Sequence, residues 1–252
     1  MVHFVGAGSG AKDLITVRGM KLIEEADVII YAGSLVNPEL LEYAKKDCEI
    51  YNSATMTLED TVEIFKNAEN EGKNTVRLHT GDPSIYGAIR EQMDELDALS
   101  IKYDVTPGVS ACFGAASSLN LEYTLPGVSQ TLIITRMEGK TSVPEKESIE
   151  KLASHNASMA IYLSTGLLGE LSEKLKEGGY EGSTPAAIVY KATWPDEKAF
   201  ICTIDTLEET ARINDIKKTA IILIGEAITH TDYYKSKLYS ADFSTEYRNA
   251  TK

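Results

Sequence analysis

Short runs of β-branched and aromatic residues alternate along this chain with longer stretches in which apolar side chains recur every three or four positions. In the first half the runs 2–5, 27–31, 48–51, 75–79 and 103–106 read as strands, and 17–26, 38–45, 58–71 and 83–99 between them as helices. Ile85, Ile89, Met93 and Leu96 fall four, four and three apart, the spacing of one helical face. Strands separated by helical crossovers predict a mainly parallel α/β sheet.

Residues 111–118 are almost all small and predict a helix that another backbone can approach closely. The domain junction is placed at its end, giving an N-terminal α/β domain over 1–118 and a C-terminal α/β domain over 119–252. The second set comprises strands 131–135, 159–163, 186–191, 199–204 and 220–224, with helices over 147–153, 167–177 and 206–213. Its fourth strand follows the third through residues 193–197, a connection too short for a parallel crossover, so the second sheet is expected to be mixed. The polar, Tyr-rich segment 229–252 reads as an extension, either disordered or packed on a partner subunit.

Composition narrows the function. The 252 residues carry 25 Lys plus Arg against 38 Asp plus Glu, a formal charge of −13, which disfavours nucleic acid and anionic membrane surfaces as partners. No apolar run approaches the length of a membrane span and no cleavable leader precedes the first strand, so a soluble, cytoplasmic protein is expected. Cys48, Cys112 and Cys202 are far apart and without CxxC spacing, which points to buried reduced thiols and to no metal site.

Gly6, Gly8 and Ala11 after the first strand fit the G-x-G-x-x-G/A dinucleotide pattern, but Lys12 to Thr16 separate them from the helix and the second strand ends without an acid for a ribose. A P-loop is excluded because no Gly-Lys-Ser/Thr follows. A tight turn that needs glycine for its backbone angles remains open, as does an NAD(P)-dependent oxidoreductase. A second turn, Thr80-Gly81-Asp82-Pro83, places a capping carboxylate before a proline at a helix start, and Gly81 would admit a ligand to the backbone. Pro107-Gly108-Val109-Ser110 repeats that geometry after the next strand, with Ser110 as cap. The only Trp, Trp194, lies in a hairpin beside Pro195 and reads as a packed lid.

Taken together these segments resemble the tetrapyrrole (corrin/porphyrin) methyltransferase family. The likeness runs through Gly6 to Gly10 with Asp13 to Gly19, Tyr31-Ala32-Gly33-Ser34-Leu35-Val36, His79 to Ala88, Pro107 to Ala111, Leu125 to Thr131 with Thr135-Arg136, Tyr162-Leu163-Ser164, and Tyr190 to Glu197. The second of these and the Lys191 to Glu197 hairpin resemble the subgroup that methylates C11 of precorrin-4 or its cobalt form; methylation of another ring carbon is the alternative.

The resemblance implies two α/β domains, S-adenosyl-L-methionine held in a cleft between them, a tetrapyrrole substrate and a homodimer. Carried over residue by residue, it implies Ser9, Thr80, Gly81, Asp82, Ile85, Tyr86, Ser110, Ala111, Leu163 and Ala192 around the cofactor, and Ser34, Arg136 and Lys191 for the substrate. Arg18, Lys21 and Lys140 are further cations on segments expected to face it. Two positions depart from the family: Ser9 replaces a usual Pro, and Ala32-Gly33 stand where relatives acting on uroporphyrinogen carry an Asp. No catalytic base is therefore inherited. A two-domain protein that binds S-adenosylmethionine or a tetrapyrrole without turning it over is the non-enzymatic alternative.

Overall fold

Strand β1 (Val2–Gly6) is buried at four of its five positions, the pattern of a strand covered on both faces. In the computed structural model, which describes residues 1–229 and 232–251, it lies between β4 (Thr75–His79) and β5 (Tyr103–Thr106). β2 (Val28–Tyr31) and β3 (Glu49–Asn52) complete a five-stranded sheet in the order β3-β2-β4-β1-β5, parallel throughout. The chain divides into two units, Met1–Ala115 with Lys191–Glu197, and Ala116–Tyr190 with Lys198–Lys252.

Strand alternation sorts the first sheet's side chains into two apolar layers. Val5, Ile29, Val76 and Leu78 face one way with Ile23 of α1 (Val17–Glu25); Phe4 and Ile30 face the other with Phe65 of α2 (Leu58–Asn70) and Met93 and Leu96 of α3 (Ile89–Ala98). Thr16 caps α1 by accepting from Gly19 N–H, and Thr57 with Asp60 forms a capping box on α2.

Two helices differ from expectation. Residues 38–45 form a 3-10 helix, Pro38–Tyr43, entered through the Asn37 cap. The helix expected over 83–99 starts only at Ile89, after a stretch in which Tyr86 and Ala88 take left-handed angles (φ 55° and 49°). The cause is local. Asp82 Oδ1 accepts from the N–H (2.9 Å) and hydroxyl (2.5 Å) of Ser84, closing an Asx turn rather than capping a helix. Ile85 thus sits in the turn and not on the helix face.

The second unit is mixed, as expected. β6 (Leu132–Arg136) runs parallel to β7 (Ser158–Tyr162), and β10 (Ala220–Ile224), β8 (Pro185–Tyr190) and β9 (Lys198–Thr203) follow antiparallel in the order β6-β7-β10-β8-β9. α5 (Ile149–Ala153), α6 (Leu168–Glu177) and α7 (Leu207–Ile213) pack on Met159, Ile161, Ile188 and Ile222. Part of the tail returns to its own chain: Tyr234 N–H donates to Pro126 O (2.9 Å), and its ring fills the space a side chain on Gly127 would need. Arg248 Nη2 then gathers the carbonyls of Leu238, Ser240 and Phe243.

None of the three cysteines forms a disulfide, but only Cys112 is buried; Cys48 and Cys202 are half-buried, which corrects the expectation for those two. Burial raises both of their thiol pKa values, which disfavours thiolate chemistry. Among the described residues no helix is long and apolar enough to cross a membrane.

Candidate active site at the carboxyl edge of the first sheet

β4, β1 and β5 are neighbours, so the turns leaving their carboxyl ends meet at one edge, where open α/β sheets hold ligands. The turns interlock. Ala7 N–H donates to His79 O (2.7 Å), Gly8 and Gly81 exchange backbone hydrogen bonds (3.3 and 2.9 Å), and Gly108 N–H donates to Asp82 Oδ2 (2.9 Å). A Cβ on Gly6 would lie 2.6 Å from both Gly108 Cα and Gly81 O, so this approach is open to glycine alone. Gly81 differs. With φ +62°, its missing side chain points to space whose nearest atoms are Ser110 Cα at 3.4 Å and Ala111 N at 3.6 Å. Ala111 opens α4 (Ala111–Ser118), and its N–H has no acceptor within the helix. Glycine at 81 therefore leaves a backbone-lined cradle that even a methyl group would begin to fill.

The surroundings fix these turns. Thr80 Oγ1 donates to Leu35 O (2.7 Å), joining the β4 turn to the one after β2, and Asn37 Nδ2 donates to Gly10 O (2.9 Å). Ser9 Oγ and Thr193 Oγ1 lie 2.9 Å apart, and Thr193 Oγ1 also accepts from Ala11 N–H (3.1 Å). Trp194 covers Gly10, where a Cβ would meet its ring at 2.1 Å; it is the packed lid that its sequence context indicated. Burial pushes the Asp82 carboxyl upward, but hydrogen bonds from the Ser84 hydroxyl and the Gly108 and Ser84 N–H groups outweigh it, leaving the pKa below the usual carboxylate value.

Beneath the turn, β4 carries two buried basic side chains on one face. Arg77 is held by Gln92 Oε1 (3.1 Å) and Ile30 O (3.2 Å), and burial lowers its pKa to about 10. His79, 4% exposed, has its ring 6.1 Å from that of Phe4 and no hydrogen-bond partner at Nε2 among the described residues. Burial first, then the Arg77 charge, lowers its pKa to about 3, so the imidazole is neutral.

Of the expected cofactor residues, Ser9, Thr80, Gly81, Asp82, Ile85, Tyr86, Ser110, Ala111 and Ala192 all fall in the first unit, and the glycine contacts bring Gly81, Ser110 and Ala111 together. Leu163 lies in the second, just past β7, as a leucine 70% exposed at φ 53°. Such an outlier is characteristic of functional turns.

The expected substrate cations have internal partners. Arg136 donates to the carbonyls of Met137, Thr141 and Ser142, while Lys191 pairs with Asp196 at 2.6 Å and stands 5.3 Å over the Trp194 ring. The side chain of Ser34 lies outside what is described. Asn37 and Thr193 were not among the expected site residues. Asn37 before Pro38 carried a cap signal, whereas Thr193 was marked only as part of the Lys191 to Glu197 hairpin, since a β-branched residue at φ 67° is not foreseeable from sequence. The dinucleotide reading finds no support: α1 starts only at Val17, so no helix begins on the glycines of the first turn.

The glycine turns of a parallel α/β sheet thus converge on a cradle lined by backbone atoms, the class of site that open α/β folds present at their carboxyl edge, and among the described residues no three metal-ligating side chains are grouped. Residues 1–208 match the family model for Tetrapyrrole (Corrin/Porphyrin) Methylases. The chain is 53% identical over 251 residues to the cobalt-precorrin-4 C(11)-methyltransferase of Methanocaldococcus jannaschii, covering 100% of this chain and 97% of that one. The X-ray structure of a cobalamin biosynthetic enzyme, cobalt precorrin-4 methyltransferase, aligns at TM-score 0.88 and 43% identity over 90% of this chain and 95% of its own. The fold recurs in the uroporphyrin-III C-methyl transferase from Thermus thermophilus complexed with S-adenyl homocysteine, at TM-score 0.72 and 22% identity, covering 90% of this chain and 92% of the other. The chain belongs to the tetrapyrrole methylase family and is a methyltransferase.

Proposed function

We propose that this protein transfers a methyl group from S-adenosyl-L-methionine to C11 of cobalt-precorrin-4, giving cobalt-precorrin-5 in cobalamin biosynthesis. The observation that carries the reading is the interlock of the Gly6, Gly81 and Gly108 turns, in a chain that aligns end to end with a relative of that activity.

The residues present fit the methyl donor. Gly81 leaves room against Ser110 and the N–H of Ala111 at the start of α4, and Ser9, Thr80, Asp82, Ile85, Tyr86 and Ala192 of the same unit are proposed with them as cofactor residues; Leu163 is proposed for the same role on the family resemblance alone. Bound there, S-adenosylmethionine supplies a methyl group on a positively charged sulfur. The chain's own task is alignment and exclusion of water, because the reduced pyrrole carbons of the substrate are already electron-rich. Alignment alone can contribute about 7–11 kcal/mol in favourable cases. No side chain is assigned as a base. Arg136 and Lys191 are proposed to meet the acetate and propionate groups of the ring with local positive charge on a chain of net charge −13, and Ser34 is proposed as an uncharged substrate contact. The cytoplasmic homodimer implied by the family resemblance is part of this reading.

Methyl-13C S-adenosylmethionine, offered with cobalt-precorrin-4 and separately with its metal-free form, tests the proposal. The expected product carries label at C11, with one S-adenosylhomocysteine formed per ring. Label at another carbon would reassign the enzyme within its family. Absence of S-adenosylhomocysteine with both substrates would reject it.

A further inference from the structure

We infer that Thr193 is a positioning residue for the methyl donor, acting through the first glycine turn; the inference rests on the proposed cofactor reading. The Lys191–Glu197 segment belongs to the first unit, and its threonine hydroxyl is the only side-chain group described that bonds both Ser9 and Ala11, at 2.9 and 3.1 Å. Since Oγ1 accepts from Ala11 N–H, one atom fixes a backbone donor and a side-chain hydroxyl two residues apart. The neighbours leave little slack. Trp194 and Ala192 O press on Gly10, and a Cβ on Gly114 of α4 would lie 2.6 Å from Ser9 Cβ and 3.3 Å from Thr193 Cγ2.

The threonine itself is held in a conformation that β-branched residues avoid, φ 67°. Its N–H donates to the Glu197 carboxylate, Trp194 N–H donates to Lys191 O, Glu197 N–H donates to Trp194 O, and Lys191 pairs with Asp196. A segment so cross-braced and so strained holds its shape through these contacts, and the hydroxyl is what it presents to the turn. Asn37 fixes the opposite end of that turn at Gly10 O, and Gly81 fixes its start at Gly8. Thr193 supplies the remaining constraint, at Ser9 and Ala11. Without it Ser9 is released, and Ala192, one residue before the threonine, loses its fixed place beside Gly10.

Thr193→Val keeps the branched shape and removes both hydrogen bonds, while Thr193→Ser keeps the hydroxyl. Affinity for S-adenosylhomocysteine, measured by calorimetry, is expected to fall tenfold or more in Thr193→Val and to return to within threefold of wild type in Thr193→Ser. Acrylamide quenching of Trp194, the only tryptophan, is expected to increase in ligand-free Thr193→Val. A role confined to stability would lower the melting temperature of Thr193→Val while leaving both readouts unchanged, and that result would overturn the inference. If wild type itself does not bind S-adenosylhomocysteine, the cofactor reading fails. The quenching measurement then still decides whether the hydroxyl holds the segment, equal quenching in wild type and Thr193→Val overturning that as well. Should Thr193→Val not fold, Ser9→Ala removes the same side-chain pair from the other side, and unchanged affinity there would count equally against the inference.

Discussion

Gly108 and Gly81 touch through their backbones: a Cβ on Gly108 would lie 2.1 Å from Gly81 O, whereas a Cβ on Gly81 would lie no closer than 3.4 Å to Ser110 Cα. The two glycines therefore fail in different ways when replaced. Gly108→Ala must push apart the β4 and β5 turns, which is expected to cost about 1–3 kcal/mol or more. Gly81→Ala keeps the fold at a cost of about 1–2 kcal/mol for a left-handed alanine, but narrows the cradle. Thermal melts with and without S-adenosylhomocysteine separate the outcomes: Gly81→Ala should melt roughly 2–8 °C below wild type and show a reduced ligand-induced shift. Gly81→Leu should abolish the shift altogether, and a retained shift would remove Gly81 from the site.

Asp82 joins two turns through one carboxylate, with Ser84 on Oδ1 and Gly108 N–H on Oδ2. Asp82→Ala strands the Gly108 donor and is expected to destabilise by about 1–3 kcal/mol. For a chain of this length that lowers the melting midpoint by roughly 2–10 °C. The sign with pH follows from the depressed pKa: the contribution is complete above the ordinary carboxylate value and is lost as pH falls through the lower folded value. The difference in stability between wild type and Asp82→Ala should therefore shrink on acidification. A constant difference would mean the carboxylate charge contributes nothing.

Most of this architecture was legible in the sequence because burial on both faces writes a parallel strand as a continuous apolar run, as in Val28–Tyr31. The mixed order of the second sheet followed from a loop too short to cross over. The late start of α3 was not legible: Asp82-Pro83 is an equally good opening for a helix or an Asx turn, and the carboxylate that closes the turn on Ser84 is also held by Gly108 N–H, distant in sequence. The glycine turns themselves could be read, but not that Asn37 and Thr193 hold the first of them, since those bonds span 27 and 182 or more positions.

Arg136 offers a test of the substrate side. Its guanidinium already holds the carbonyls of Met137, Thr141 and Ser142, so Arg136→Ala both loosens the segment after β6 and removes a cation. Arg136→Lys keeps charge without the fork that reaches three carbonyls. If the charge meets a ring carboxylate, Arg136→Ala should weaken tetrapyrrole binding about tenfold or more while S-adenosylhomocysteine affinity stays put, and Arg136→Lys should recover part of the loss. Ring affinity equal to wild type in Arg136→Ala would leave Arg136 a purely structural residue.

His79 makes the acid limb of stability specific. In the unfolded chain an imidazole titrates near 6.5, whereas in the folded protein burial beside Phe4 and the Arg77 charge lower the value to about 3. Between those values the unfolded chain binds a proton that the folded chain refuses. The contribution is thus complete above pH 6.5 and is lost as pH falls toward 3, at about 1.4 kcal/mol per pH unit. His79→Leu removes the titration, and because Nε2 has no partner among the described residues, it strands no hydrogen bond there. From pH 6.5 to 5.0, urea unfolding should show wild type losing about 2 kcal/mol more than His79→Leu. Parallel curves would mean that the folded protein accommodates the imidazolium, and that the β4 turn opens to water at His79 more readily than its 4% exposure indicates.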